Sequence, residues 1–548
     1  MLPSRADGDT FSSQSLLERA ECTAGSIARS PAIGRVERVG LLMPNGEPWL
    51  RGLLAVWRLG ATAVPLPLPV GFPGPTAYAD RLRAIAAEAR LDTILVTSAT
   101  RPGLLGRVSQ AVHPTPLIDI TECRTRDTVP WSFEPRPAGP ALIQYTSGST
   151  SRPKGVALTH ENIAAGTEIL ADTVMPEGSA LGSWLPLYHD MGLFCTLTAL
   201  THDIPTWLWR PEDAVRRPMA WLSACARTPV SVVPAPDFFY RLLVEAAGND
   251  GIPGELDLTG WRSALVGAEP VRQSTMDAFT RTFTAHGLKP DVLRPGYGLA
   301  EATLVVACAG ESAPVTTMNV DRVRLWPGER VEPSDSSGPG VRTVVSCGPP
   351  VPAMRLRIAD VDDRPLPEGT VGEIQITGPS VTGGYLGVPD DRQPFTDDGW
   401  LRTGDLAFLH DGELFPTGRA KDLVVLHGRK YYAEDVEHAV AAVPETLGAR
   451  SAAFAAGEPG NEHLAVLWES SSPDTAYPVC EAIRGALRAE LGLDAVEVIA
   501  VPPATIAVTS SGKVRRRETR SRHLAAVPRS EKGFDSERRA RLGLAISH

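Results

Sequence analysis

The run Gln144–His160 reads QYTSGSTSRPKGVALTH and follows directly on the apolar residues ALI at 141–143. An apolar run bounded by turn residues reads as a buried strand, here opening into Thr146, Ser147, Gly148, Ser149 and Thr150. Small residues let backbone N–H groups approach an anion closely, hydroxyls add donors, and Lys154 adds a positive charge. A polyphosphate is the natural guest. A surface linker rich in Ser and Thr competes equally for TSGST taken alone. The run is not a Walker A loop, because GxxxxGK followed by Ser or Thr is absent. No GxSxG surrounds Ser147 or Ser149, so it is not a nucleophile elbow. GYGLAE from Gly296 lacks the third glycine of a dinucleotide fingerprint.

The same texture extends to both sides. Upstream, VGLLMP reads as a strand, Trp49 to Leu59 as a helix ending at Gly60, and ATAVPL as a second strand. A helix from Tyr78 to Arg90 and the strand TILVT follow. Downstream, SVVPAP precedes the helical FFYRLLVEAA, and SALVG precedes STMDAFTRTF. Strands alternating with helices at this spacing predict right-handed crossovers and a mostly parallel sheet, an α/β class. After about Gly310, Pro, Gly and Ser rise between the short β-rich runs RLRIAD, GEIQIT and GELFPTG. These predict antiparallel strands in a β-rich, barrel-like unit over about 310–418. LVVLH and AEDVEHAVAAV then predict a compact α+β domain. The expected division is a large domain over 1–418 with two α/β lobes and the β-rich unit, a small domain over 419–523, and a flexible tail over 524–548.

The 548 residues are 43% hydrophobic and 22% charged, which fits a globular protein of several domains and excludes wholesale disorder. A net charge of −10 argues against binding nucleic acid through broad electrostatics. The seven cysteines form no CxxC pair, so a zinc framework and a disulfide scaffold are both disfavoured, and a reducing compartment fits. The N-terminal MLPSRADGDTFSSQSLLERAE lacks the apolar centre of a signal peptide. LLAVWRLGATAVPLPLPVG is broken by Arg58, Pro65, Pro67 and Pro69, so no membrane span is expected there. The expectation is a cytoplasmic protein with no membrane span and no nucleic-acid partner.

Between Val39 and Arg517 the motifs YTSGSTSRPKG, WLPLYHDMGL, VGAEPV, GYGLAEATL, GEIQITGPSVTGGYLG, GWLRTGDL, GRAKDLVVLHGRKYYAEDVE and SSGKVRRR follow in order. Through them the chain resembles the adenylate-forming (acyl-activating) enzyme superfamily, most closely its fatty acyl-AMP ligases and acyl-CoA synthetases. The resemblance implies that a carboxylate attacks the α-phosphate of ATP with Mg²⁺ present, giving an acyl-adenylate and pyrophosphate. A thiol then takes the acyl group and releases AMP.

The resemblance also implies roles for residues. Thr146 to Thr150 and Lys154 would hold the β- and γ-phosphates. Gly267, Ala268, Glu269 and Pro270 would face one side and the edge of the adenine, with Tyr297 on its other side. Gly296, Gly298, Leu299, Ala300 and Thr303 belong to the same nucleotide-binding run, and Glu301 would hold Mg²⁺. Asp405 would grip both ribose hydroxyls, with Arg419 as a second ribose or phosphate contact. His189 would stand at the mouth of the acyl pocket, and Asp190 reads as the N-cap of the helix MGLFCTLTAL. Lys513 would meet the carboxylate and α-phosphate during adenylation. Alone, the strip around it would read as a solvated basic face or a nucleic-acid patch. Lys421 matches the hinge about which the small domain turns.

The long stretch from Glu301 to CGPPVP resembles the extra segment that in acyl-AMP ligases hinders the rotation needed for CoA transfer. The acceptor implied is therefore the phosphopantetheine thiol of an acyl carrier protein, with CoA as the alternative. A luciferase-type oxidative enzyme shares the same first step. The region before Val39 reads as abbreviated for this family, leaving room for an acid bulkier than a linear fatty acid.

Overall fold

The structure is a computed structural model and describes residues 10–30, 36–69, 74–98, 100, 102–122, 139–146, 154–336, 338, 340–426, 429–446, 448–457, 462–494, 496–509 and 513–526. Two six-stranded sheets form the lobes. In the first, Leu117–Asp119, Thr93–Val96, Arg38–Leu41, Thr62–Pro65 and Leu142–Thr146 lie parallel in that order. Lys154–Leu158 closes the edge antiparallel to Leu142–Thr146. In the second, Leu293–Gly298, Ser263–Gly267, Val232–Pro236, Leu181–Ser183 and Thr206–Leu208 are parallel, and Val305–Cys308 closes the edge antiparallel. Central strands such as Thr93–Val96 and Ser263–Gly267 are buried along their whole length. Continuous apolar runs of this kind belong to parallel sheets covered on both faces.

Both sheets therefore end in an antiparallel strand pair, and a motif lies in the sequence between the two strands of each pair. The first joins Thr146 to Lys154, and the second joins Gly298 to Val305 across Glu301.

The helices follow their apolar period. Glu47–Arg58 starts with Pro48 in its first turn and buries Trp49, Leu53 and Val56. His160–Val174 starts on a capping box between Thr159 and Asn162. The region before Val39 is fuller than expected: Ser12 caps a helix over Ser13–Ala28. Leu16, Ala20, Ala24 and Ile27, spaced by three and four, bury one face of it in the main core.

The β-rich part is open among the described residues and does not close into the expected barrel-like unit. It comprises the hairpin Thr317–Asp321 with Val341–Val345 and a four-stranded antiparallel meander from Arg355–Ala359 to Glu413–Arg419. Four strands joined in sequence leave two edges, so nothing forces closure.

Past the turn Ala420–Asp422, the strands Leu423–Leu426 and Arg429–Tyr432 form a hairpin. The helix Ala433–Ala441 leads to the sheet Ser451–Ala456, His463–Glu469 and Val496–Val501. This small unit has its own core around Val436, Val440, Val466, Ile483 and Leu487. The helix Arg516–Ala526 runs past His523, where a tail was expected, and it is anchored through Thr519, which is buried and whose hydroxyl accepts the Ala507 N–H. Residues 527–548 of that expected tail lie outside the described residues.

Candidate active site

Thr146, Gly267 and Tyr297 lie at the carboxyl ends of parallel strands, where open α/β sheets bind ligands, and Asp405 and Arg419 of the meander meet Tyr297 there. Thr146 and Lys154 face each other across the first hairpin. Ser147, Gly148, Ser149 and Thr150 lie outside the described residues. The Lys154 ammonium is exposed and stands 5.1 Å from the centre of the Tyr385 ring. Tyr385 is placed there by the backbone: the Ala157 N–H donates to the Gly384 carbonyl and the Leu386 N–H to the Gly155 carbonyl. The segment thus continues the sheet edge beside Lys154–Leu158. The Tyr385 hydroxyl donates to Glu301 at 2.6 Å. Sequence reasoning missed Tyr385, although it lies inside the GGYLG motif.

Glu301 occupies the short 3-10 turn Ala300–Ala302 on the second hairpin. Burial raises its carboxyl above the ordinary range, the Tyr385 hydroxyl opposes this, and the charge of Asp190 adds to the rise. The hairpin needs its glycine: a Cβ on Gly298 would sit 1.9 Å from the Leu304 carbonyl oxygen. Leu299 is half-buried and Ala300 buried in the same turn. Thr303 is fully buried and left-handed, and its hydroxyl donates to the Ser380 carbonyl at 2.8 Å. That hydroxyl faces the interior.

Tyr297, Asp405 and Arg419 come together, although more than a hundred residues separate the first from the second. The Tyr297 hydroxyl donates to one Asp405 oxygen at 2.8 Å, and the Arg419 Nε lies 2.8 Å from the other. Asp405 and Arg419 are cross-strand partners in the meander, so sheet register aligns them. Burial first, then the Asp405 charge, raises the Tyr297 phenol well above its ordinary value.

The strand Ser263–Gly267 ends in the left-handed, exposed Ala268, then Glu269 and Pro270, both half-buried. Gly267 packs beside Gly296, whose carbonyl oxygen would lie 2.9 Å from an added Cβ. Glu269 accepts the Phe238 N–H at 2.6 Å. Burial and then the neighbouring Asp237 push its carboxyl up to about 7, against that amide and the charges of Lys513 and Arg241.

The charge of Lys513 thus acts on Glu269. Lys513 is exposed, and its backbone pairs with Thr509: the Thr509 N–H donates to the Lys513 carbonyl, and the Lys513 N–H to the Thr509 hydroxyl. The basic strip around it is engaged within the fold. Arg516 binds Glu437 through two nitrogens and Asp422 at 2.7 Å. Arg515 and Arg522 pair with Glu518, and Arg520 donates to the Ala455 carbonyl. Lys421 is exposed in the turn Ala420–Asp422, between the meander and the small unit.

His189 is itself the N-cap of the helix Asp190–Thr201, which its backbone carbonyl begins by accepting the Leu193 N–H. Asp190, expected as the cap, is the first helical residue, and its carboxylate accepts the Met191 N–H at 2.8 Å. A carboxylate in the first turn favours the positive helix end as a cap would. The Gln144 amide donates to the Tyr188 carbonyl at 2.6 Å and ties this corner to the first hairpin.

A Mg²⁺ ion fits beside Glu301. Its carboxylate gives one oxygen to Tyr385, and the ion ordinarily takes one or two carboxylates together with substrate phosphates. Among the described residues no cluster of three or more His, Cys, Asp or Glu forms an all-protein metal site. No helix among them is long and apolar enough to cross a membrane.

Residues 4–386 match the protein family described as AMP-binding enzyme. A long-chain-fatty-acid–AMP ligase of Mycobacterium marinum is 34% identical over 515 residues, covering 88% of this chain and 86% of the relative. A medium-chain-fatty-acid–acyl-carrier-protein ligase of Moorena producens is 33% identical over 552 residues, covering 94% and 90%. A solved structure from a study of fatty acyl-adenylate ligases from E. coli and L. pneumophila superposes with a TM-score of 0.85 at 29% identity. It covers 95% of this chain and 93% of its own.

Proposed function

This chain belongs to the AMP-binding enzymes and is an adenylate-forming ligase, and from that premise we propose how its residues divide the work. It joins a carboxylic acid to the AMP moiety of ATP with release of pyrophosphate. It then passes the acyl group to the phosphopantetheine thiol of an acyl carrier protein, releasing AMP, in the cytoplasm. The observation that carries this reading is the Tyr297–Asp405–Arg419 chain, with Glu301 and Lys154 linked beside it through Tyr385.

Transfer at the α-phosphate needs positioning and charge compensation, with no protein nucleophile. Asp405 accepts the ribose hydroxyls while Tyr297 and Arg419 hold its carboxylate still. Glu269 and the backbone of Gly267 and Ala268 frame the base. Lys154 and the hydroxyl-rich loop hold the β- and γ-phosphates. Glu301 would hold Mg²⁺, which supplies further charge compensation when bound. Lys513 offsets the two negative charges that must meet, the attacking carboxylate and the α-phosphate. His189 stands by the incoming acid, and Lys421 is the residue about which the small domain turns.

The test is pyrophosphate release over a panel of linear and bulky carboxylic acids, alone, with CoA and with holo carrier protein. Acceleration by carrier protein and not by CoA is the expected result. Acceleration by CoA would instead make the chain an acyl-CoA synthetase. Oxygen-dependent light emission would place it with the oxidative enzymes.

A further inference from the structure

Asp435 lies in the first turn of the helix Ala433–Ala441 of the small unit and is 6% exposed. Three arginines converge on it: Arg272 at 2.8 Å on one oxygen, and Arg322 at 3.0 Å and Arg342 at 3.3 Å on the other. All three belong to the large domain. Arg272 caps the helix Gln273–Phe283 just after the Glu269 loop, Arg322 begins the turn Arg322–Arg324, and Arg342 lies in the strand Val341–Val345. Against the burial that would raise it, these guanidiniums hold the Asp435 carboxyl well below the ordinary range.

A second contact accompanies the first. Tyr432, one residue before the same helix, is 4% exposed and packs in a large-domain cluster with Val320, Leu325, Phe408 and Phe415. Its hydroxyl donates to the Leu325 carbonyl at 2.8 Å, and the Arg342 guanidinium lies 5.1 Å from the centre of its ring. The socket is also joined to the nucleotide side. The Arg272 N–H donates to Asp237, and the next residue, Phe238, donates its N–H to Glu269. The small unit also acts on the site: the charge of Lys513 acts on Glu269, and those of Arg515 and Glu518 act on Arg81, whose guanidinium donates to the Thr146 carbonyl at 3.4 Å.

We propose that Asp435 is a positioning residue for adenylation: seated among Arg272, Arg322 and Arg342, it sets the small domain in the orientation that turns Lys513 toward the nucleotide. This rests on the adenylation reading above. A single buried carboxylate neutralises one of the three guanidiniums, so its removal leaves mutual repulsion where there was a bond. Breaking a buried pair from one side is strongly unfavourable, enough to shift a closed-to-open equilibrium by ~10² or more.

The full chain and its Asp435→Asn and Asp435→Glu variants are compared in three measurements. These are acid-dependent ATP–pyrophosphate exchange, thiol transfer from added acyl-adenylate, and small-angle X-ray scattering. Asp435→Asn should lower the exchange kcat by ~10²-fold with KM for ATP within about threefold, keep transfer from added adenylate, and increase the radius of gyration. Asp435→Glu should restore part of the exchange. Unchanged exchange and an unchanged radius of gyration in Asp435→Asn overturn the proposal, as does a parallel loss of both half-reactions. If the wild-type chain exchanges with no acid, the adenylation reading fails, while the scattering comparison still decides whether Asp435 holds the small domain.

Discussion

Replacing Asp405 with Asn keeps the shape of the side chain and removes its charge at a position 7% exposed. The two carboxylate oxygens each serve one protein partner at 2.8 Å, Tyr297 and Arg419. A carboxylate offers about four lone-pair sites, so two remain for ribose hydroxyls. In Asn one oxygen becomes an NH₂ group that cannot accept, and one protein partner and one ribose hydroxyl lose their acceptor together. A hydrogen bond to a charged group contributes ~1.5–3 kcal/mol, so ATP affinity should fall by ~10- to 150-fold. The cost to folding is smaller. Arg419 is 40% exposed, water screens its lost pairing, and the penalty is about 1 kcal/mol or less. Calorimetric titration with ATP and with 2′-deoxy-ATP, beside thermal unfolding, separates these effects. The wild-type chain should prefer ATP by about tenfold or more, and Asp405→Asn should lose most of that preference. A variant that binds ATP more weakly yet keeps the full preference would refute the assignment of Asp405 to the ribose.

Three further outcomes follow from the same geometry. Lys513→Ala should reduce ATP–pyrophosphate exchange by ~10²–10³-fold, or about 3–4 kcal/mol of transition-state stabilisation, and near-normal exchange would remove Lys513 from the chemistry. The Glu269 carboxyl titrates at about 7 in the fold against an ordinary 4.5, so ionising it destabilises the folded state. That cost is absent below 4.5, grows as pH rises through the interval, and is complete above 7. Glu269→Gln should therefore raise the unfolding midpoint more above pH 7 than below pH 4.5, and equal gains on both sides would count against it. Tyr385→Phe removes the hydroxyl that holds one oxygen of Glu301 and opposes the rise of its pKa. Activity should fall by ~5- to 30-fold, with more Mg²⁺ needed for half-maximal rate, and an unchanged Mg²⁺ dependence would separate Tyr385 from the metal.

How much of this was legible varied with how local the cause was. The strands around 39–44, 93–97 and 263–267 were readable because a continuous apolar run bounded by turn residues admits few other structures. Glu301, Asp405 and Lys513 stood out through the motifs that contain them. The helix Ser13–Ala28 was overlooked although Leu16, Ala20, Ala24 and Ile27 carry its period, because polar neighbours on both sides masked it. The β-rich segment was expected to be barrel-like from composition alone. Closure depends on strand number and stagger, which composition does not carry.

The sequence by itself determined the α/β class, the order of the motifs and the chemical type of each candidate group. Those depend on local periodicity and on functional groups that are the same in any fold. Tertiary structure alone decided that Tyr297 and Arg419 share Asp405, and that Tyr385 joins Lys154 to Glu301. It alone brought Arg272, Arg322 and Arg342 onto Asp435, 93 to 163 residues away along the chain. Strand register, hairpin closure and the docking of one domain on another set these meetings. Each is a sum of many weak contacts between distant segments, and no single stretch of sequence contains it.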